Sequence, residues 1–423
     1  MPVFCLNILF CMLTILAALC SSSAQYNQMP GSTQFLAGVR ENLSLRHKQA
    51  LADRALSQKY KVPFVRDLDF QAGNRDISAL ENLFAIRFNT NNLSEFSKYG
   101  DFPSLHNKLL LAQARMELSE MLEERYELCL AYERQRREIF WMDSIFKLQK
   151  QRLAILLELV YAGQKVNVKD LSGLVDDKNE AQAKLSQARL ELQNLLEKMG
   201  VLMNGKTPDT LLTGDWIGVE ELGRRLKEGL VPAEHALEFE SRMWEAEYKT
   251  SEYKLARSRA REWNASLQFG IRDYDNRLSF SDKFFSRLGL TIPLGGQPDR
   301  RLPVLELEKM EAEQKAVLAD SMRAWKMRAS KNTLERELAE FVAFDRSEET
   351  GIFGKILNSP VLLQSMSPDE ILETRIRDLK MKRLRDEREM NVLDAYIRWL
   401  QGAEQLASEP LKNHLTLSLV PLD

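Results

Sequence analysis

A stretch of 58 residues, 104–161, contains neither glycine nor proline and follows directly after Pro103. Proline is tolerated in the first helical turn, whereas inside a helix it removes a hydrogen bond. The stretch therefore predicts one continuous helix of about 85–90 Å, at a rise of about 1.5 Å per residue. A compact domain cannot accommodate such a rod, so this helix favours an elongated, coiled-coil architecture.

A second helix is predicted over residues 167–199, where apolar side chains recur in alternating steps of three and four. This spacing is typical of a coiled-coil seam. Asn167 can cap the first turn, and Asp170 suits the positive end of the helix dipole. The seam is interrupted only by Lys178 and otherwise comprises Leu171, Leu174, Ala181, Leu185, Ala188, Leu192, Leu195 and Met199.

The later part of the chain repeats this helix start at an offset of 200 residues. Ser367 is the predicted N-cap, Pro368 takes the first helical position, and Glu370 can close a capping box. Further glycine- and proline-free helices are predicted over 39–62, 233–263 and 304–344, with an irregular segment around 351–360. Residues 201–232 contain several glycines and Pro208 and are predicted to connect the two halves.

Four segments alternate apolar and polar residues and predict strands of about ten residues, at about 64–73, 84–92, 264–273 and 285–294. Each half of the chain then reads helix, strand, strand, helix, over 25–200 and 233–402, followed by a tail at 403–423. The predicted apolar face contains Phe64, Leu68, Phe70, Phe84, Phe88, Leu267, Phe269, Leu288, Leu290 and Ile292.

Strands of this length and alternation fit two structures. A tilted strand of about ten residues spans an outer membrane with one face on lipid, and a soluble antiparallel sheet covers one face with its own core. The helices are far longer than the strands, which favours the membrane alternative. Four strands cannot close a barrel and open edges are unfavourable in lipid, so several subunits must share one barrel.

The N-terminus predicts export. Residues 3–20 are almost wholly apolar, and Ser22 and Ala24 suit a cleavage site, so residues 1–24 are predicted to be a signal peptide. An uncleaved anchoring helix is the alternative, and lipidation of Cys20 is less favoured because Leu19 is bulky. Cleavage leaves Cys129 as the one cysteine, which we expect to be a small buried hydrophobic residue.

Composition argues against several function classes. With 59 basic and 61 acidic residues the chain has a net charge of −2, which does not favour nucleic acid as a partner. Its four histidines are dispersed, and the sequence contains no zinc motif, phosphate-binding loop or nucleophile elbow. We therefore predict that the chain is not an enzyme and has no cofactor, metal site or catalytic residue.

Two motifs resemble the TolC family of outer-membrane efflux proteins. The first is residues 287–294 with Gly295 and Gly296, which resembles the last strand of that family and its turn into a helix. The second is the Ser-x-x-acid start at 367–372 and its weaker counterpart at 167–171. The resemblance implies a mainly α, α+β fold in which three chains complete a 12-stranded β-barrel above a hollow α-helical tunnel.

The resemblance also implies a function. We expect an outer-membrane channel of a tripartite efflux or type I secretion system in a Gram-negative bacterium, with helices in the periplasm. A periplasmic adaptor, an inner-membrane pump and outer-membrane lipids are the implied partners. Glu370, Glu373 and Asp170 correspond to an acidic ring at the periplasmic entrance. The first two are alternatively a helix-start carboxylate and a solvated glutamate, and the whole chain is alternatively a periplasmic coiled-coil scaffolding protein that spans no membrane.

Overall fold

The chain is described by a computed structural model, in which helices dominate and one small antiparallel sheet is present. This confirms the predicted α+β, mainly α class. The described residues are 31–57, 65–74, 82–90, 102–203, 216–229, 237–260, 264–273, 284–291 and 300–422. The predicted signal peptide, residues 1–24, lies outside them, and so does most of the glycine-rich part of the predicted connector.

The elements of the described part are numbered in chain order. A 3-10 turn at Gly38–Glu41 joins the first two helices. The helices are α1 (Ser32–Ala37), α2 (Leu43–Ser57), α3 (Phe102–Tyr161), α4 (Val168–Leu202), α5 (Val219–Glu228), α6 (Leu237–Ala260), α7 (Leu302–Arg346), α8 (Glu348–Leu357), α9 (Pro360–Ser365) and α10 (Pro368–Gly402). The strands are β1 (Val65–Asn74), β2 (Asn82–Thr90), β3 (Asn264–Asp273) and β4 (Phe284–Thr291).

The long helices form where the sequence predicts them. Helix α3 is continuous over 60 residues, with Pro103 in its first turn. Helix α4 follows Asn167, whose side chain accepts a hydrogen bond from the backbone N–H of Lys169. Among the described residues, no helix has a stretch both long and apolar enough to cross a membrane.

The segment around 351–360 is helical, so the prediction of irregular structure there is wrong. Gly351 and Gly354 lie within α8, and Pro360 occupies the first position of α9. Helix α8 packs against α10, and tertiary packing of this kind overrides the roughly 1 kcal/mol that a glycine costs in a helix. Proline at the first helical position loses no hydrogen bond.

The four strands form one sheet in the order β1-β2-β3-β4, with every neighbouring pair antiparallel. The central pairing joins β2 of the first half to β3 of the second half, with Phe88 opposite Leu267. The register shifts once, between Val65 and Asp67 of β1. The two halves of the chain therefore contribute to a single sheet, in which β1 and β4 are the edges.

The helices and strands belong to two compact units. The described parts of 1–42, 118–233 and 326–423 form the first unit, and those of 43–117 and 234–325 form the second. In the second unit, Ala246 of α6 packs against Ala312 and Ala316 of α7, so the two helices meet through small side chains.

The C-terminal segment, residues 403–422, is largely buried within the first unit. Strong burial is shared by Leu406, Leu411, Asn413, Leu415 and Leu422. The hydroxyl of buried Tyr126 on α3 donates to the carbonyl of Lys412 (2.9 Å) and accepts from the N–H of His414 (3.0 Å). The carbonyl of Leu415 accepts a hydrogen bond of 2.7 Å from the N–H of Ile217, which lies just before α5. The predicted tail is thus a packed part of the interior.

Arg125 of α3 is a second buried anchor in the same unit. Its guanidinium donates to the carbonyls of Phe35 and of Leu202, the latter at 2.8 Å, and lies over the Phe35 ring. Burial lowers the pKa of Arg125, opposed by weaker interactions with Cys129 and nearby carboxylates. The Cys129 thiol is free and buried, as predicted, and burial raises its pKa.

Candidate functional site

Within the described residues, the sheet has an apolar face that is exposed to solvent. Phe70 is 77% exposed and Leu288 is 78% exposed. The strand register places the predicted apolar residues on one face, which includes Leu68, Phe70, Phe84, Phe88, Leu267, Phe269 and Leu288. Ile86, Ile271 and Phe284 lie on the same face. The face is therefore a continuous apolar surface across four strands.

Aromatic rings hold parts of this apolar face together. The ring centroids of Phe88 and Phe269 are 6.2 Å apart in an edge-to-face arrangement, and those of Phe269 and Phe284 are 6.3 Å apart and stacked. Such pairs stabilise neighbouring strands. Of the remaining predicted residues of the face, Phe64 and Ile292 lie outside the described residues, as does the side chain of Leu290.

Most described side chains on the opposite face of the sheet are polar, and buried Ala85 is an exception. Arg87 donates to the hydroxyl of Ser266 (3.3 Å), and the amide of Asn89 donates to the carboxylate of Asp69 (3.1 Å). Arg287 is exposed on the same face. A sheet with one apolar and one polar face is typical both of strands in an outer-membrane barrel and of a soluble antiparallel sheet with one face on a core.

The start of α10 forms the second candidate site. Ser367 accepts a hydrogen bond from the N–H of Glu370, whose carboxylate accepts one of 2.7 Å from the Ser367 N–H. This capping box lowers the pKa of Glu370, chiefly through the backbone hydrogen bond. Glu370 is thus engaged in the helix cap.

Arg152 of α3 joins the same helix start. Its guanidinium makes a bidentate contact with Asp369 at 2.7 and 3.1 Å and reaches Glu373 at 2.9 Å. Glu373 also pairs with Arg377 one turn later. Hydrogen bonding to Asp369 raises the pKa of Arg152. Paired charges of this geometry fix α3 against the first turns of α10.

The counterpart in the first half is less elaborate. Asn167 caps α4, and Asp170 lies exposed in its first turn, where the helix dipole favours a carboxylate. The structure thus brings Glu370 and Glu373 together with Asp369 and leaves Asp170 at a separate helix start. Arg152 and Asp369 were not predicted, because an arginine inside a long helix has no local signal that identifies its partner.

No family model matches the sequence, and no curated protein matches it. Solved structures with a similar fold exist at low sequence identity. A membrane protein from Pseudomonas aeruginosa has a TM-score of 0.62 at 14% identity, covering 88% of this chain and 93% of its own.

Two further structures with a similar fold are of outer-membrane proteins. The outer membrane protein VceC from Vibrio cholerae has a TM-score of 0.60 at 13% identity, covering 90% of this chain and 96% of its own. The CmeC outer membrane channel from Campylobacter jejuni has a TM-score of 0.56 at 14% identity, covering 88% of this chain and 84% of its own. The resemblance predicted from the sequence is therefore confirmed at the level of the fold: this chain has the TolC-like fold of the outer-membrane channels.

Proposed function

We propose that this chain is one subunit of a trimeric outer-membrane channel that conducts solutes passively. The observation that carries the proposal is the four-stranded sheet, apolar on one face, charged on the other, and with two edge strands. In the proposed assembly three sheets form one 12-stranded barrel in the outer membrane of a Gram-negative bacterium. The helices form a hollow tunnel in the periplasm.

The edges of the sheet support the trimer. Within the described residues, β1 pairs with β2 alone and β4 with β3 alone. A strand edge in lipid leaves N–H and C=O groups without partners, at a cost of several kcal/mol for each group. Pairing β4 with β1 of a neighbouring copy removes both edges, and closure requires that every copy do the same.

Helix α7 supports the same assembly. Over 302–325, its alanines at 312, 316 and 319 are buried, whereas large apolar side chains occupy the exposed stripe. That stripe comprises Val304, Leu307, Met310, Val317, Leu318, Met322 and Trp325. Helix α2 exposes Leu43 and Leu51, which are eight residues apart. Met310 and Leu318 of α7 have the same separation. Because α7 follows β4 and α2 precedes β1, an edge-to-edge pairing of copies allows the two stripes to meet.

The tip of α10 suggests how the channel is gated. Asp170, Glu370 and Glu373 are proposed to line the periplasmic entrance, with Asn167 and Ser367 capping the helices that bear them. Contacts from Arg152 to Asp369 and Glu373 hold α3 to α10, so their loss frees the helix ends to separate. A periplasmic adaptor and an inner-membrane pump are the proposed partners that load the channel, and the chain itself has no enzymatic role.

The proposal is tested by conductance of the purified protein in planar bilayers. We expect discrete channel events, and we expect the Arg152→Gln variant to conduct severalfold more because it removes three hydrogen bonds between α3 and α10. The matched control is Lys147→Gln, because Lys147 pairs within its own helix with Asp143.

The alternative is a periplasmic scaffolding protein that uses its coiled coils to bind other proteins. Recovery of the protein in the soluble periplasmic fraction, together with silent bilayers for the parent and Arg152→Gln, would contradict the channel and favour the scaffold. Channel events that are unaltered in Glu370→Gln and Glu373→Gln, with unchanged ion preference, would remove the acidic entrance alone.

A further inference from the structure

We propose that the polar face of the sheet carries an arginine filter that favours anionic solutes. This inference rests on the proposed channel and names the charge of the solutes that its barrel prefers. The filter is defined as the row Asp69, Arg87, Gln268 and Arg287, which contains one residue from each strand.

The strand register brings these residues to one level. Asp69 lies opposite Arg87, Arg87 opposite Gln268, and Gln268 opposite Arg287. Successive residues of a strand point to opposite faces. The row is therefore on the face opposite Leu288, and in a closed barrel it forms part of a ring around the lumen.

Hydrogen bonds hold the central part of the row. Arg87 is half-buried, and its guanidinium donates to the hydroxyl of Ser266, which in turn donates to the carbonyl of Gly289 at 3.4 Å. A side chain at Gly289 would meet the Ser266 hydroxyl at 2.6 Å. Because Gly289 has no side chain, the Ser266 hydroxyl stays accessible to Arg87. Arg287, two residues earlier in β4, is exposed.

The charge of the row is positive. One carboxylate and two guanidinium groups give each chain a net charge of +1 at this level, and three chains give +3.

Arginine rings are a common means by which pores select anions. The Debye length is about 10 Å at 0.1 M salt, so fixed charges on a barrel wall act on ions across much of a 12-stranded lumen. Low-dielectric walls focus the field further. The expected solutes are those with carboxylate, phosphate or sulfate groups, and chloride serves as the simplest probe.

The test measures the reversal potential of single channels under a gradient of KCl. We expect the chloride-to-potassium permeability ratio to fall by at least about threefold in the Arg87→Gln, Arg287→Gln double variant, because two of the three charges of each row are lost. The single variant Arg287→Gln, which alters an exposed side chain, should give a smaller fall in the same direction. Arg287→Lys keeps the charge and should keep the ratio.

The outcomes separate this inference from the channel itself. An unchanged permeability ratio in conducting channels of Arg287→Gln and of the double variant would overturn the filter and leave the channel intact. An equal fall in Arg287→Lys would also overturn it, since the effect would then follow geometry and not charge. Absence of conductance in the parent protein would contradict both proposals. If the double variant fails to assemble, the permeability ratios of Arg287→Gln and Arg287→Lys are compared instead, and a fall in Arg287→Gln alone supports the filter.

Discussion

The sheet and the C-terminal segment 403–422 differ in the exposure of their apolar side chains. In the C-terminal segment, Leu415 is completely buried and its carbonyl accepts a hydrogen bond from Ile217 of the same chain. In the sheet, Phe70 and Leu288 are more than three-quarters exposed. The described part of the chain buries the first region, whereas in the sheet it leaves an apolar surface and two strand edges, which we propose are covered by lipid and by further copies.

The largest effect on the free energy of unfolding is expected in the buried C-terminal segment. Leu415→Asp places a carboxylate in a fully buried site and removes apolar packing, which should lower the free energy of unfolding by about 4–5 kcal/mol. Its control is Leu417→Asp, two residues away and 61% exposed, which should change stability by less than about 0.5 kcal/mol. Urea unfolding in detergent measures both. Equal effects at the two positions would mean that the segment is not an interior element.

In the sheet, the effect of a substitution on stability should depend on which face carries the residue. Leu288→Lys puts a charge on the apolar face, which should cost about 3 kcal/mol if that face lies in lipid near the bilayer centre. Arg287→Lys, one residue earlier on the polar face, should cost almost nothing. Urea unfolding of protein refolded into lipid vesicles compares the two. A Leu288→Lys protein as stable as Arg287→Lys would show that this face does not contact hydrocarbon.

The stability of the first unit is expected to depend on pH through His414. Burial, assisted by the positive charges of Arg225 and Lys412, lowers its pKa from 6.5 to about 4. The Tyr126 ring lies against its imidazole. Between these two pKa values the unfolded chain binds a proton that the fold excludes, so stability is complete above pH 6.5 and is lost as the pH falls towards 4. The loss should be about 2–3 kcal/mol.

The measurement for His414 is the midpoint of urea unfolding between pH 7 and 4. His414→Gln should lose this component of the pH dependence, since it has no group that titrates in the range. His47→Gln, at an exposed histidine, is the control and should keep the parental profile. An identical pH dependence in parent and His414→Gln would contradict the assignment.

The smallest effect is expected at the capping box of α10. Ser367→Ala removes a side-chain acceptor for the N–H of Glu370, which should cost about 1 kcal/mol, confined to the first turn. Hydrogen exchange at the Glu370 amide should accelerate by several-fold. Ser365→Ala alters a nearby exposed serine whose hydroxyl donates to the Leu362 carbonyl and caps no helix N-terminus, so Glu370 exchange should stay unchanged there.

The long helices and the four strands could be predicted from sequence because their signals are local. A glycine- and proline-free stretch, the cap at Asn167 and the box at Ser367 depend on residues a few positions apart. The prediction of an irregular segment around 351–360 is wrong, because packing on α10 accommodates the glycines there and the first position of α9 accommodates the proline.

The sites depended more on distant contacts. The capping box that Glu370 was predicted to close is a local contact and is confirmed, whereas its place in an entrance ring stays a prediction. Arg152 is 217 residues from Asp369 in sequence, and no periodicity predicts a contact at that separation. The same holds for Tyr126 and His414, 288 residues apart. Such pairs depend on the way in which the long helices pack side by side. A local stretch of sequence carries no information about that packing.

The sequence by itself determined which segments become helices or strands and which face of each strand is apolar, because side-chain periodicity acts over a single turn or a single pleat. Only the tertiary structure decided that β2 pairs with β3, so that Arg87 and Arg287 from different halves share one level, and that the C-terminal segment is buried in the first unit. Strand register and interior packing are set by the simultaneous pairing and burial of residues far apart in the chain, and each choice depends on all the others.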